Sequence, residues 1–132
     1  MPYVALITIL ALLQFVWFGA QVGRARARYN VPAPASSGNE MFERHFRVQM
    51  NTLEQLVLFL PAMWLFAQFV QPLWAAALGV VWIVGRFLYA SAYVRDPKSR
   101  SIGFALTALP SLIMLIGTLI EAVLRSLFSG AA

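Results

Sequence analysis

The sequence has 132 residues, of which 61% are hydrophobic and 11% are charged, and its formal net charge is +5. A chain of this length predicts one domain, and so apolar a composition excludes an ordinary water-soluble globular protein. The basic residues flank apolar segments without a zinc-finger spacing or a basic helix, so the charge indicates membrane topology and excludes nucleic acid as a partner.

Long apolar segments predict transmembrane helices. Residues 1–23, 55–85 and 102–120 contain no charged side chain. About 20 apolar helical residues cross the ~30 Å hydrocarbon layer of a bilayer. The polar dipeptide Gln71-Pro72 divides the second of these segments. The sequence therefore predicts one all-α membrane domain over residues 1–132, a four-helix bundle with spans at about 4–28, 40–69, 73–94 and 102–125.

The first loop and the internal prolines define the helix limits. Pro32, Pro34 and Gly38 predict a loop before the second span. Ser37 and Glu40 have the spacing of a capping box, which predicts a helix start near Gly38 or Asn39. The prolines inside the second and fourth spans are predicted to kink those helices without ending them, as membrane helices tolerate.

The loops after the first and third spans are basic and set the predicted topology. They contain six bases, Arg24, Arg26, Arg28, Arg95, Lys98 and Arg100. The turn after the second span contains none. By the positive-inside rule, both basic loops face the cytoplasm, and both termini lie on the non-cytoplasmic side.

Polar side chains inside the second and third spans predict a functional site. At 3.6 residues per turn, one face of the second span carries Glu43, Arg47, Asn51 and Glu54. One face of the third span carries Arg86, Tyr89 and Tyr93. Counted from the basic loops, the predicted pairs at equal depth are Arg47 with Tyr93, Asn51 with Tyr89, and Glu54 with Arg86. Because each ion in lipid costs at least about 2.5 kcal/mol, we expect the two polar faces to meet or to line one cavity.

These residues form a pattern that resembles a known membrane family. Phe42-Glu43-Arg44, followed by Arg47, Gln49, Asn51 and Glu54, is similar to the first motif of the MAPEG family, the membrane-associated proteins in eicosanoid and glutathione metabolism. Arg86, Tyr89, Tyr93 and Arg100 are similar to its second motif. The short length and four spans also agree, so the resemblance covers nearly the whole chain.

The resemblance implies a homotrimer that acts as a membrane-embedded glutathione transferase or peroxidase. Glutathione would be the co-substrate, without a metal, and would lie between neighbouring subunits near the cytoplasmic end. A lipophilic electrophile or lipid hydroperoxide would enter from the membrane lipid. The implied glutathione ligands are Arg47, Asn51, Glu54, Tyr89 and Tyr93 of one subunit, and Arg26 and Gln49 of the next. Arg100 would stabilise the thiolate as the catalytic residue, while Glu43 and Arg86 would be structural.

The residue types suit this chemistry. Glutathione has two carboxylates, which Arg binds with a fork of donors, and one ammonium group, which suits Glu54. The chain has no cysteine and so provides no thiol nucleophile of its own. Lowering the pKa of a thiol by two units from its usual value of about 8.5 needs about 2.7 kcal/mol, which one partly desolvated guanidinium could supply.

Two positions depart from the family pattern. Ala27 stands where a leukotriene-forming member has the second of two adjacent arginines, and Gln55 stands where it has a tyrosine. Both changes bear on the eicosanoid reaction more than on glutathione binding.

Simpler interpretations of the same residues remain open. Arg24, Arg26, Arg28 and Arg100 also fit topology anchors, and Tyr89 and Tyr93 fit tyrosines of the membrane interface. Glu54 and Arg86 fit a structural ion pair within the membrane. The alternative functions are a non-catalytic scaffold that binds lipid or glutathione, and a small proton-coupled exporter that uses Glu54 as its carrier.

Overall fold

Four long helices make up most of residues 1–129, the part of the chain that the computed structural model describes. They are α1 (Pro2–Tyr29), α2 (Glu40–Phe69), α3 (Pro72–Arg95) and α4 (Ser101–Phe128), and a single 3-10 turn covers Pro97–Ser99. All four helices are long and apolar enough to cross a membrane. The predicted all-α fold with four helices capable of spanning a membrane is confirmed.

The start of α2 is fixed by Asn39. Its side-chain oxygen accepts a hydrogen bond from the backbone N–H of Phe42 at 3.0 Å, which satisfies one of the free donors of the first turn. The predicted start near Asn39 is confirmed, but the predicted capping box of Ser37 and Glu40 is wrong. Asn39 lies one residue before the helix and provides the cap itself.

Prolines do not interrupt the helices. α2 continues through Pro61, and α4 continues through Pro110, as predicted. Neighbouring membrane helices can accommodate the backbone groups that a proline leaves free.

α2 and α3 form the centre of the bundle. These two helices pack on each other, and α1 and α4 pack against the pair. In the core, the Phe59 ring of α2 stacks on the Trp82 ring of α3 with centroids 4.2 Å apart. Gly79 of α3 lies directly against Ile7 of α1 and Met63 of α2, so a side chain there would clash with both.

One end of the bundle collects the basic residues, and we call it the basic end. Because successive helices run in opposite directions, the ends of α1 and α3 and the starts of α2 and α4 lie there. Arg44 of α2 caps the C-terminal end of α3, because its guanidinium donates hydrogen bonds to the carbonyls of Val94 at 2.9 Å and Arg95 at 3.1 Å. The candidate site lies inside the bundle, next to the basic end.

Candidate functional site

Arg86 is a fully buried arginine at the contact between α2 and α3. Its guanidinium donates hydrogen bonds to Oδ1 of Asn51 at 2.9 Å and to Oγ1 of Thr52 at 2.7 Å. It also lies 4.4 Å from the centre of the Tyr89 ring, a cation–π distance. Within residues 1–129, no carboxylate forms an ion pair with Arg86. The buried charge is therefore stabilised by neutral oxygen atoms and an aromatic ring.

The predicted pairing of Glu54 with Arg86 is wrong. Arg86 is level with Asn51, so α2 and α3 are displaced by about one helical turn from the predicted register. Residue spacing defines which side chains share a face of one helix. It does not define the axial offset between two helices, which depends on the turn and on packing.

Arg47 and Glu54 are exposed on the surface of the single chain. The buried stripe of α2 contains Val48 and Thr52, each one residue after a member of the polar stripe. Successive residues are separated by ~100° around a helix, so the polar stripe lies on the flank of α2, and of its members Asn51 forms the hydrogen bond to α3. Within the single chain, the two polar faces therefore meet through the hydrogen bond between Asn51 and Arg86, while Arg47 and Glu54 stay exposed.

Tyr89 is the centre of a polar cluster formed by three helices. Its ring is buried and stacks on the Tyr93 ring with centroids 5.6 Å apart. The charges of three arginines act on the Tyr89 hydroxyl, and these are Arg86 of α3, Arg100 before α4 and Arg47 of α2. The structure thus brings together Arg47, Asn51, Arg86, Tyr89, Tyr93 and Arg100.

A close helix contact places Arg100 beside this cluster. A Cβ atom on Gly103 would lie 2.5 Å from the Cα atom of Tyr89, so only glycine allows α4 to approach α3 this closely. Arg100 is one turn before Gly103, and its guanidinium donates a hydrogen bond to the carbonyl of Pro97 at 2.9 Å. It lines an open cavity of about 690 Å³ with Lys98, Ser101 and Phe104.

Arg26 and Gln49 lie on the α1 side of the molecule, away from this cluster. Arg26 donates hydrogen bonds to the loop carbonyls of Ala35 at 2.7 Å and Val31 at 3.4 Å. The Gln49 side chain packs against Gly19, where an added Cβ would lie 2.9 Å from Nε2. Within one chain, neither side chain joins the residues around Tyr89.

Glu43 lies at the loop before α2. Its carboxylate accepts a hydrogen bond from the backbone N–H of Gly38 at 3.3 Å, which braces the start of α2. This is a structural contact, and it leaves Glu43 at the edge of the polar stripe.

Two residues that matter for the site escaped the sequence reasoning. Thr52 is fully buried, accepts the hydrogen bond from Arg86 and donates one to the carbonyl of Val48 at 2.7 Å. The only sign of Thr52 in the sequence was that a polar residue stands on the apolar face of α2. Gly103 looked like one small residue among many in an apolar span.

Comparisons with known proteins identify the family of the chain. The model of the MAPEG family matches residues 4–120. An uncharacterised protein of Synechocystis is 53% identical over 117 residues, covering 89% of this chain and 85% of that protein. Human microsomal glutathione S-transferase 2 is 38% identical over 116 residues, which cover 87% of this chain and 79% of that protein. Rat leukotriene C4 synthase is 35% identical over 96 residues, which cover 73% of this chain and 64% of that protein. The chain is an integral, multi-pass membrane protein that belongs to the MAPEG family.

Proposed function

We propose that the protein is a glutathione transferase of the membrane, which joins glutathione to lipophilic electrophiles that enter from the bilayer. Its relatives include a protein named microsomal glutathione S-transferase 2, and the family is the same. The proposed glutathione ligands are Arg47, Asn51, Glu54, Tyr89 and Tyr93, with Arg26 and Gln49 of a neighbouring copy. Arg100 is proposed to stabilise the thiolate.

The charge of the cluster is the observation that carries this proposal. Arg47, Arg86 and Arg100 act on the Tyr89 hydroxyl, and Glu54 lies on the same stripe of α2 as Arg47. Arg47 and Arg100, with the buried charge of Arg86 behind them, and the carboxylate of Glu54 complement a tripeptide that has two carboxylates, one ammonium group and a developing thiolate. A site for a cation or an apolar ligand would not need this excess of positive charge.

Arg86 prepares Asn51 for ligand binding. A guanidinium has only donors, so the Asn51 atom that faces it is the amide oxygen. The amide NH₂ group of Asn51 then points away from Arg86. We infer that it donates to a carbonyl or carboxylate of glutathione, and that Arg86 acts on the ligand through this orientation.

The exposed positions of Arg47 and Glu54 favour a site at a subunit interface. Glu54 is ~21 Å along α2 from Glu40, well inside the membrane-spanning region. A carboxylate or guanidinium facing lipid there costs at least about 2.5 kcal/mol. A neighbouring copy in a homotrimer would remove both groups from lipid. It would also bring its own Arg26 and Gln49 toward the ligand.

The proposed reaction is a nucleophilic attack by glutathione. The thiol gives its proton to solvent, and the thiolate sulfur forms a bond to the electrophilic carbon while the leaving group departs with its electron pair. With a lipid hydroperoxide, the sulfur would attack the terminal oxygen and break the O–O bond, so that the lipid leaves as an alcohol after protonation and the sulfur becomes a sulfenic acid. A second glutathione would then displace water from that sulfur and form the disulfide. The same thiolate serves both reactions.

The test is binding and turnover by the detergent-purified protein. Wild type should bind glutathione in isothermal titration calorimetry and conjugate a chlorodinitrobenzene-type substrate. Arg47→Ala should weaken binding by roughly tenfold or more, because a charge-assisted hydrogen bond is lost. Arg100→Ala should lower kcat by roughly 100-fold with little change in binding, which corresponds to about two pKa units of the bound thiol.

A matched control is Arg125→Ala at the opposite end of the bundle. Arg125 forms an exposed ion pair with Glu121, so its loss should change neither binding nor turnover. Absence of a binding signal at millimolar glutathione would contradict the proposal. Binding without turnover, unchanged by Arg100→Ala, would instead support a scaffold. Uptake into proteoliposomes that depends on Glu54 and a pH gradient would support an exporter.

A further inference from the structure

A groove lies between α1 and α3, and its lining includes none of the polar residues of the Tyr89 cluster. Its volume is about 490 Å³, within the ~300–1,000 Å³ typical of ligand sites. Phe18 of α1 and Phe87 of α3 meet edge to face across it, with ring centroids 6.0 Å apart. Its apolar lining consists of Trp17, Phe18, Met41, Val48, Phe87, Ala90 and Val94.

The groove opens at the basic end of the bundle. Arg44, His45 and Arg95 line that part of it. A neighbouring cavity of about 520 Å³ shares the side chains of Gln21 and His45 with the groove. Arg24 and Arg28 line this second cavity.

Within residues 1–129, only one of the arginines at this opening, Arg44, has a carboxylate partner. Among the described residues that line the two cavities, four are arginines and none is a carboxylate. Glu40 pairs with Arg44 at 2.6 Å, but its own side chain is 80% exposed and lies outside the lining. The Nε atom of Arg44 is buried without a hydrogen-bond partner within residues 1–129. The opening therefore attracts an anion.

We propose that this groove binds one anionic phospholipid of the bilayer. An acyl chain would lie between α1 and α3 against Trp17 and Phe87, which are 53% and 48% exposed in the chain. The phosphate would lie among Arg28, Arg44 and Arg95. Basic pockets between membrane helices at the headgroup level are suited to acidic lipid headgroups. This site is separate from the proposed glutathione site and does not depend on it.

The chemistry favours this occupant over others. A zwitterionic lipid carries a cation that four arginines would repel. An acidic phospholipid has an apolar chain that matches the apolar part of the groove, and a negative headgroup that matches its basic opening.

The experiment is native mass spectrometry of the detergent-purified full chain mixed with equal amounts of phosphatidylglycerol and phosphatidylcholine. Wild type should retain phosphatidylglycerol at least tenfold more than phosphatidylcholine. The double variant Arg28→Gln/Arg95→Gln should reduce this preference roughly tenfold, since each arginine strengthens the attraction several-fold. Lys98→Gln/Arg125→Gln removes two charges outside the groove and should keep the preference.

A third variant tests the apolar part of the groove. Ser91 lines the groove and is exposed, so Ser91→Trp should fill the space without disturbing the core. Retention of both lipids should fall at least fivefold, while the melting temperature without lipid stays close to that of wild type. Folding of each variant is checked in the same way.

Three results would overturn the proposal. One is equal retention of the two lipids by wild type. Another is an equal loss of preference in the control double variant, which would indicate attraction to positive charge anywhere on the protein. The third is displacement of phosphatidylglycerol by an equal amount of oleate, which would indicate a fatty-acid site.

Discussion

At the residue scale, Arg86 connects stability with the site. Its guanidinium is fully buried, and its hydrogen bonds reach two adjacent residues of α2, Asn51 and Thr52. Removing one partner of a buried polar contact leaves the other unsatisfied, which costs more than the net value of the contact. In the proposed site Arg86 would be a positioning residue, so its loss should affect both folding and glutathione binding.

Replacement of Arg86 gives a graded prediction. Arg86→Lys keeps the charge but loses the fork that reaches both oxygen atoms, so we expect a loss of about 1–3 kcal/mol of stability. Arg86→Ala should cost more, because it also leaves a cavity. Thermal unfolding in detergent measures both, and Arg24→Lys at an exposed position should change stability by less than about 0.5 kcal/mol. Equal stability of all three variants would show that the buried network contributes little.

At the element scale, glycines define how closely α3 and α4 pack. Gly103 of α4 lies on the backbone of Tyr89, and Gly85 of α3 lies on the backbone of Leu106. Each helix thus contributes one glycine to the contact with the other. In a membrane, such small residues permit the close packing that holds helices together. This contact also positions the Arg100 end of α4 beside Tyr89.

A methyl group at Gly103 should separate the two helices. The atoms in its way belong to the backbone of α3 and cannot rotate aside, so Gly103→Ala should destabilise the protein by about 1–3 kcal/mol. The displaced Arg100 should also lower kcat for glutathione conjugation. At Gly23 an added Cβ meets nothing within 4 Å, so Gly23→Ala should be neutral or slightly stabilising. Similar melting temperatures for the two variants would contradict this account.

The elements were predictable from the sequence, but their relative positions were not. Uncharged segments and polar turns identify each helix, because a bilayer requires long apolar helices. The site residues of α2 were likewise visible as one stripe around Asn51. The hydrogen-bond partners of Arg86 could not be predicted, because the axial offset between α2 and α3 arises from core packing such as that of Phe59 on Trp82. The role of Gly103 also depends on this packing.

At the scale of the whole molecule, the outer surface divides into an apolar belt and a basic end. Large apolar side chains such as Leu13, Val57 and Leu119 are exposed on the single chain, as lipid or another subunit would require. The bases of the two loops at the basic end contrast with the uncharged turn at the other end. The two ends should therefore lie on opposite sides of the membrane.

Cysteine labelling can determine which side each end faces. The natural chain has no cysteine, so single replacements report their own position without a background. Ser37 lies in the loop at the basic end, and Gln71 lies in the turn at the opposite end. Both are exposed, so a membrane-impermeant maleimide can reach either one.

We expect Gln71→Cys to react with the maleimide in intact cells, and Ser37→Cys to react only after the membrane is permeabilised. The reason is that loops with excess arginine and lysine are retained on the cytoplasmic side. The proposed glutathione site near the basic end would then open to the compartment that the two basic loops face. Val57→Cys, within the span, should react slowly in both conditions and serves as the control. Reaction of Ser37→Cys in intact cells would reverse the topology and place the opening of the site outside the cell.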